Sequence, residues 1–163
     1  MLKEINWKQE PIVLFGKKIM QPRLTAWIGD PAKTYTYSGL TLVPQAWIES
    51  LIEIKNRVEK LTNVRLTSAL LNQYRDGNDS MGWHSDNEKE LGLNPTICSV
   101  SFGATRTFKF RHRKNPELKA SVELTNGSVL VMQGPTQHHW LHSISKMKNT
   151  TAPRINITFR RIN

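Results

Sequence analysis

The most regular hydrophobic pattern in the first half of the chain has the period of an α-helix. Apolar residues recur there with spacings of four and three, at Trp47, Leu51, Ile54, Val58 and Leu61. Such spacing places them on one face of a helix, and Pro44 is favoured in a first helical turn. The pattern predicts a helix over residues 44–61 that packs against a sheet.

After this helix the pattern changes to short extended runs separated by turn residues such as Asn126-Gly127. The predicted strands cover residues 65–74, 96–102, 107–112, 120–124, 128–133, 140–144 and 154–160. Residues 75–94, rich in Asp, Gly and Asn, are predicted to form a loop. Strands this short and closely spaced are typical of a sandwich or jelly roll. The predicted fold class is mainly β with flanking α, a jelly roll backed by one or two helices.

The final run, residues 154–160, alternates without exception. Ile155, Ile157 and Phe159 occupy one face, and the other face carries Arg154, Asn156, Thr158 and Arg160. This is the period of a strand with one face on a core. Two Arg on a late buried strand suit a carboxylate ligand, because the planar guanidinium offers bidentate donors. Six residues of strand span roughly 20 Å, so the two Arg are predicted to have different roles.

His84 and Asp86 are spaced so that both side chains project to the same side of an extended backbone. His142 lies far along the chain and is predicted to arrive on a different strand. Two imidazoles and one carboxylate are the ligand set of a non-haem Fe(II) oxygenase, which leaves metal positions open for a co-substrate and O2. The sequence therefore predicts a metal site at these three residues.

Length, net charge and cysteine content indicate the number of domains, the kind of partner and the cellular compartment. The chain has 163 residues, read here as a single domain, and its net charge is +10. Such a charge favours polyanions such as nucleic acid. The single cysteine, Cys98, excludes an internal disulfide and favours a reducing compartment. No signal peptide or membrane span is recognised, so we expect no membrane partner and a cytoplasmic location in a prokaryote or a nuclear one in a eukaryote.

Five ordered blocks of the chain resemble the AlkB family of Fe(II)- and 2-oxoglutarate-dependent nucleic-acid demethylases. The blocks are residues 72–77, the His84-x-Asp86 pair, residues 99–103, residues 140–143 and the terminal Arg-x-Asn-x-Thr-Phe-Arg. The similarity runs from about Phe15 to the C-terminus. Residues 29–31 and 34–40 look most like the branch that repairs double-stranded DNA.

The resemblance implies a double-stranded β-helix and an oxidative demethylase of N-alkylated bases such as 1-methyladenine and 3-methylcytosine, acting on DNA, with RNA left open. It implies Fe(II) on His84, Asp86 and His142, with 2-oxoglutarate and O2 as co-substrates. The 2-oxoglutarate residues it implies are Arg154, which pairs with a carboxylate, together with Asn72, Tyr74, Asn156, Thr158 and Arg160. We expect the protein to act as a monomer.

The resemblance also implies that residues 1–43 form a nucleotide-recognition lid and finger. Tyr35, Tyr37 and Glu88 match positions around the flipped base, and Phe15 matches a wedge that fills the gap in the duplex. Predicted nucleic-acid contacts are Phe15, Gly16, Lys17, Lys18, Arg23, Arg111, Arg113, Lys146 and Lys148. Two positions depart from the family pattern: Tyr37 stands where Phe is usual, and Asn87 replaces an acidic residue.

Other readings of the same residues stay open. The iron chemistry could act on a protein side chain or a small molecule, and the fold could be a non-catalytic damaged-base binder or a metal-free module. A zinc cluster at His138, His139 and His142 is disfavoured, because adjacent residues on a strand face opposite ways. Trp83 and Trp140 are read as packing that shapes the site.

Overall fold

Antiparallel strands are the main regular secondary structure of the protein. The structure is a computed structural model that describes residues 3–14, 16–31, 35–37 and 40–162, without the side chains of 13–14, 35–37 and 40–42. The strands are β1 (Pro11–Leu14), β2 (Lys17–Met20), β3 (Leu24–Gly29), β4 (Tyr35–Tyr37), β5 (Leu40–Leu42), β6 (Ser68–Tyr74), β7 (Met81–His84), β8 (Ile97–Gly103), β9 (Arg106–His112), β10 (Lys119–Leu124), β11 (Val129–Met132), β12 (Trp140–Ile144) and β13 (Arg154–Arg160). The helices are α1 (Glu49–Thr62) and the short α2 (Thr136–His139), and a 3-10 turn spans Lys89–Leu91.

Two sheets carry the fold. The larger sheet has five strands in the order β11-β8-β13-β6-β3, and the smaller has four in the order β10-β9-β12-β7. Every pairing between these strands is antiparallel. Some neighbouring strands, such as β8 and β13, are far apart in the sequence, so the chain crosses between the sheets as it does in a jelly roll. The predicted fold class is therefore confirmed.

Strand β13 lies in the middle of the larger sheet and separates two regions of the molecule. Its apolar residues Ile155, Ile157 and Phe159 belong to the core cluster that also holds Leu51 and Val58 of α1. Its polar residues line a cavity on the other side, facing the smaller sheet. All seven residues of β13 are buried, so its polar face does not meet bulk water.

Helix α1 backs the larger sheet as predicted, but it begins at Glu49 rather than at residue 44. The cause is a backbone contact made by Gln45. Its N–H donates to the Trp27 carbonyl at 2.8 Å, and its carbonyl accepts from the Gly29 N–H at 3.2 Å. The segment before the helix is therefore held against β3 and cannot coil. Leu61, predicted on the apolar face, is exposed.

The described N-terminal residues include a two-stranded hairpin and one strand of the larger sheet. Strands β1 and β2 form a hairpin of their own, whose turn includes Gly16 with φ of +75°, a conformation that favours glycine. Strand β3, however, pairs with β6 along its whole length and is part of the larger sheet. Phe15 lies outside the described residues, so its role as a wedge stays a prediction, as does the lid and finger role of residues 1–43.

The loop predicted over residues 75–94 contains a strand, β7, at Met81–His84. Its four residues pair irregularly with β12, across a register shift between His142 and Ile144. Met81 and Trp83 alternate with Gly82 and His84, but a run of four residues that contains a glycine is a weak signal for a strand. In the described part of the chain, no helix is long and apolar enough to cross a membrane.

Candidate metal centre and co-substrate pocket

His84, Asp86 and His142 come together at the edge of the smaller sheet. His84 is the last residue of β7, and His142 is its register partner on β12. Asp86 follows two residues after His84, on the same side of the extended backbone. One ligand atom from each of the three residues lies within 4.8 Å of the others. The three predicted ligands are therefore brought to one place by strand pairing.

The separations of these atoms fit a shared metal ion. The two histidine Nε2 atoms are 3.1 Å apart, and Asp86 Oδ1 lies 3.6 Å from His84 Nε2. Two donors bound at right angles about 2.1 Å from one metal would be about 3.0 Å apart. Two imidazoles and one carboxylate on one side of an ion match the ligand set of non-haem Fe(II).

Both imidazoles present the nitrogen that a metal needs. His84 Nδ1 lies 3.0 Å from the Gly82 carbonyl, and its Nε2 is the ring nitrogen that faces His142 Nε2. Burial and then the neighbouring His84 lower the pKa of His142 to about 3. His142 is therefore neutral at physiological pH and can act as a ligand.

Asp86 is buried, and its carboxylate is held by a cation from the opposite sheet. Arg160 Nη2 donates to Asp86 Oδ2 at 2.6 Å, with both side chains almost fully buried. Burial alone would raise the pKa of Asp86, but Arg160 and the two histidines outweigh it and lower the pKa to about 2. The second oxygen, Oδ1, faces His84. Arg160 thus holds the carboxylate as an anion with one oxygen directed to the metal position.

Arg154 supplies the other cation of the cavity. Its Nη2 donates to Ser101 Oγ at 2.9 Å, and its Cζ lies 5.1 Å from the centroid of the Tyr74 ring. Its Nε and Nη1 are buried and have no hydrogen-bond partner among the described residues. A buried guanidinium with two unsatisfied donors is costly unless an anion is bound. These atoms fit a carboxylate of a bound co-substrate.

The remaining predicted co-substrate residues also line this cavity: Asn72, Tyr74, Asn156, Thr158 and Arg160. Asn156 and Thr158 form a hydrogen bond with each other, and Asn156 also forms hydrogen bonds with residues of β8. Asn156 Nδ2 donates to Ser99 Oγ at 2.6 Å, and Thr158 Oγ1 donates to Asn156 Oδ1 at 3.0 Å. The two arginines at the ends of β13 have different partners, as expected from the length of the strand. Contact of these residues with 2-oxoglutarate stays a prediction.

Comparison with known proteins agrees with this geometry. The sequence model of the 2OG-Fe(II) oxygenase superfamily matches residues 1–160. The chain belongs to the 2OG-Fe(II) oxygenase superfamily. Membership of this superfamily implies Fe(II) and 2-oxoglutarate, and the donor set and the unsatisfied atoms of Arg154 fit both.

Two relatives within the superfamily show which of its members have sequences similar to this chain. The chain is 45% identical over 158 residues to "DNA oxidative demethylase ALKBH2" of Bos taurus, covering 93% of this chain and 57% of that protein. It is 40% identical over 171 residues to "Alpha-ketoglutarate-dependent dioxygenase alkB homolog 3" of Mus musculus, covering 99% of this chain and 59% of that protein. The resemblance to the AlkB family is confirmed, although this chain spans less than two thirds of either relative.

A solved structure, that of OsALKBH1, has the same fold. Its TM-score is 0.65 at 18% identity, over 86% of this chain and 78% of that chain. The strand order and the similarity to this solved structure both identify the fold as a jelly roll.

Arg23, predicted as a phosphate contact, has a different position in this superfamily member. It is buried, its Nε donates to Asn72 Oδ1 at 2.7 Å, and its Nη1 donates to the Ser80 carbonyl at 3.3 Å. That prediction is wrong, because the guanidinium is not available at the surface. Because Arg23 binds the Asn72 side-chain oxygen, the NH2 group of Asn72 points away from Arg23. Arg23 therefore orients Asn72, which lines the co-substrate cavity.

The other predicted nucleic-acid residues lie at various distances from the cavity. Glu88 is half-buried beyond Asp86 and does not line the cavity. The side chains of Tyr35 and Tyr37 are outside the description, so the base contacts stay predictions. The predicted phosphate contacts that are exposed are Lys17, Lys18, Arg111, Arg113, Lys146 and Lys148, next to the exposed Gly16.

Trp83, read from the sequence as packing that shapes the site, is instead 40% exposed. It precedes His84 on β7 and therefore points to the opposite face of the sheet. Trp140 is half-buried and contacts His112, with ring centroids 5.3 Å apart. Neither tryptophan lines the metal cavity.

Sequence reasoning missed one further residue that supports the site. Gln137 of α2 is fully buried, and its Oε1 accepts a hydrogen bond from the Asp86 backbone N–H at 2.9 Å. Its Nε2 lies 3.5 Å from Met132 Sδ. No periodicity or motif indicates such a contact between residues 51 positions apart.

Proposed function

We propose that this chain is an Fe(II)- and 2-oxoglutarate-dependent dioxygenase that demethylates N-alkylated DNA bases such as 1-methyladenine and 3-methylcytosine. The observation that carries the proposal is a single cavity that joins the His84, Asp86 and His142 donors to the unsatisfied guanidinium atoms of Arg154. The substrate is inferred from the relative named a DNA oxidative demethylase, which is 45% identical to this chain. The net charge of +10 supports a polyanionic substrate.

When bound, Fe(II) and 2-oxoglutarate supply the oxidation of an N-methyl carbon by O2, with succinate, CO2 and formaldehyde as the further products. The chain supplies placement and electrostatics. His84, Asp86 and His142 would hold the iron from one side, and Arg154 would pair with a carboxylate of 2-oxoglutarate. Arg160 keeps Asp86 ionised, so Asp86 has no proton to lose when the metal binds.

Apolar side chains complete the cavity and limit access of water. Leu70, Phe108, Met132 and Ile144 line it, and the Phe108 ring stacks on His142 with centroids 5.1 Å apart. Water exclusion strengthens the interactions of buried charges and suppresses side reactions. A methyl group on a base-pairing nitrogen is inaccessible inside a duplex, so the base must leave the stack.

The test is a demethylation assay on oligonucleotides that contain one 1-methyladenine, with formaldehyde and succinate measured together. The wild-type protein is expected to release both with Fe(II) and 2-oxoglutarate. Asp86→Ala is expected to fall to background because it removes a metal ligand, while circular dichroism reports whether it folds. A methylated RNA strand of the same sequence tests whether RNA is a substrate.

Two results would contradict the proposal in different ways. Succinate release without base repair would retain the oxygenase and reject DNA as substrate, which favours a protein or small-molecule substrate. Metal binding without succinate release on any strand would reject the enzyme and favour a non-catalytic binder.

A further inference from the structure

A second cavity lies on the outer face of the smaller sheet. Its volume is about 550 Å³, and it is lined by Trp83, Lys109, Phe110, Arg111, Lys119, Ala120 and Ser121. On β9, Phe108 and Phe110 lie near His142, with centroids 5.1 and 6.3 Å from it. Lys109 and Arg111 alternate with them and therefore face away from the metal. We call this cavity the outer groove, and it is separated from the metal centre by the sheet.

The outer groove is positively charged. Strand register places Lys119 opposite Arg111, and Ser121 opposite Lys109. Three cations line the groove, and none of its described lining residues is acidic. Within the described part of the chain, no ion pair engages Lys109, Arg111 or Lys119. Glu123 lies further along β10, beyond the lining residues. This concave face is therefore complementary to an anion.

One wall of the outer groove is an aromatic–cation stack. Arg111 Cζ lies 4.4 Å from the centroid of the Trp83 ring. Trp83 is 40% exposed and Arg111 is exposed, so neither group is covered by the rest of the described chain. Nucleobases stack on aromatic rings and on arginine planes, whereas acidic peptides have no flat rings to add to such a stack.

We propose that the outer groove binds the single-stranded nucleic acid that flanks the target nucleotide. Phosphates lie on Lys109 and Lys119, and a base extends the stack of Trp83 and Arg111. This inference rests on the proposed function and adds a contact surface on the reverse side of the sheet that holds the metal. A strand that contacts both the metal cavity and the outer groove must pass around an edge of the four-stranded sheet, whereas a trinucleotide spans roughly 10 Å at about 3.4 Å per nucleotide.

The first test separates the outer groove from the base site by strand length. Binding of a labelled, unmodified 20-nucleotide strand is measured by fluorescence anisotropy, with Fe(II) and 2-oxoglutarate present under anaerobic conditions. The variant Lys109→Gln/Lys119→Gln is compared with Lys60→Gln/Arg65→Gln, which removes the same charge from exposed positions at the end of α1. Demethylation of a methylated trinucleotide, too short to reach the groove, is measured in parallel.

The groove variant is expected to bind the long strand roughly tenfold or more weakly at about 50 mM salt, with a salt slope lower by about 1.4. Its KM for the trinucleotide is expected to equal that of the wild type. A salt slope equal to that of the control variant would overturn the proposal, and so would an equal loss on the trinucleotide. Failure of every protein to demethylate both the trinucleotide and the longer methylated oligonucleotides would instead reject the proposed function, since strand binding is measured without catalysis.

The second test addresses the stack. Arg111→Lys keeps the charge and removes the planar guanidinium. It is expected to weaken binding of the 20-nucleotide strand about fivefold or more, and to leave binding of an abasic strand of equal charge unchanged. Equal effects on both strands would reject base stacking. Displacement of the strand by polyglutamate of equal charge, unaffected by Arg111→Lys, would identify an acidic peptide as the occupant and overturn the proposal.

Discussion

Asp86 is fixed by contacts from three separate parts of the chain. Arg160 of β13 holds one carboxylate oxygen, Gln137 of α2 accepts from the backbone N–H, and His84 lies beside the other oxygen. A ligand that is held at both its backbone and its side chain loses little further freedom when a metal binds. The position of Asp86 is therefore set before the metal arrives.

Gln137→Ala is expected to weaken metal binding without removing a ligand. The substitution removes the acceptor of the Asp86 N–H, so the segment between β7 and the 3-10 turn loses its link to α2. Residues that orient metal ligands typically contribute 10–100-fold to affinity. The measurement is the Mn(II) dissociation constant, followed by water-proton relaxation. Gln133→Ala, an exposed neighbour, serves as the control, and equal affinities in the two variants would assign Gln137 to packing alone.

The three metal ligands could be predicted from the sequence because the His84-x-Asp86 pair and His142 occur together with the other blocks that resemble the AlkB family. Arg23 and Gln137 could not, because the partners of both lie far along the chain, at Asn72 and Asp86. A basic residue in a basic chain is read as a surface group by default. Only the folded arrangement shows that Arg23 is buried and that Gln137 reaches Asp86.

At the scale of elements, hydrogen bonds of two buried charged residues, Asp79 and Arg106, hold the segment between β6 and β7 in place. The Asp79 carboxylate accepts hydrogen bonds at 2.8 Å from the Arg75 backbone N–H, Nε and Nη2. Arg106 of β9 is fully buried and donates to the carbonyls of Asp76, Asp79 and Ser145. It thereby joins this segment to the one that follows β12. Both segments lead directly away from strands that carry site residues.

The Asp79 contact predicts an acid-dependent loss of stability. Burial raises the pKa of Asp79, but the hydrogen bonds and charge of Arg75 outweigh it, and the net pKa lies below the ordinary 3.8. A lowered pKa contributes stability above pH 3.8, and that contribution is lost as the pH falls toward the folded-state value. Asp79→Asn is expected to lower the free energy of unfolding by about 1–3 kcal/mol at pH 7.

The measurement is urea unfolding of wild type and Asp79→Asn between pH 7 and pH 3. The difference between the two proteins is expected to shrink as the pH falls. Asp76→Asn, in the same segment, should retain the acid dependence of the wild type, because an amide oxygen can still accept from the Asn78 N–H. A difference for Asp79→Asn that is constant with pH would show that the carboxylate charge is not involved.

Prediction of elements succeeded where one physical signal dominated. The predicted bounds of β12 and β13 agree with the structure, because turn residues separate these strands from their neighbours and β13 alternates apolar and polar residues throughout. The start of α1 was wrong by five residues, because the backbone of Gln45 pairs with β3, a contact that propensity does not encode. Strand β7 was missed, because its pairing with β12 and not its own composition makes it a strand.

At the scale of the whole molecule, the candidate site joins the two sheets. His142 and His84 belong to the smaller sheet, whereas Arg154 and Arg160 belong to the larger one. The ion pair of Asp86 with Arg160 connects a metal ligand to a cation of the larger sheet. An anion that binds both the metal and Arg154 would add a second link between the sheets. Bound ligands should therefore stabilise the entire fold rather than a local segment.

This arrangement predicts that Mn(II) and 2-oxoglutarate together raise the melting temperature in one cooperative transition. Ligand at 100 times its dissociation constant contributes about 2.7 kcal/mol, which for a chain of this size corresponds to about 5–11 °C. Arg154→Met should keep the shift caused by Mn(II) and lose the additional shift caused by 2-oxoglutarate, since only the partner of the carboxylate is removed. Scanning calorimetry of both proteins with each ligand alone and with both would measure this. A full 2-oxoglutarate shift in Arg154→Met would mean that another cation receives the co-substrate, and the two unsatisfied nitrogens of Arg154 would then need a different partner.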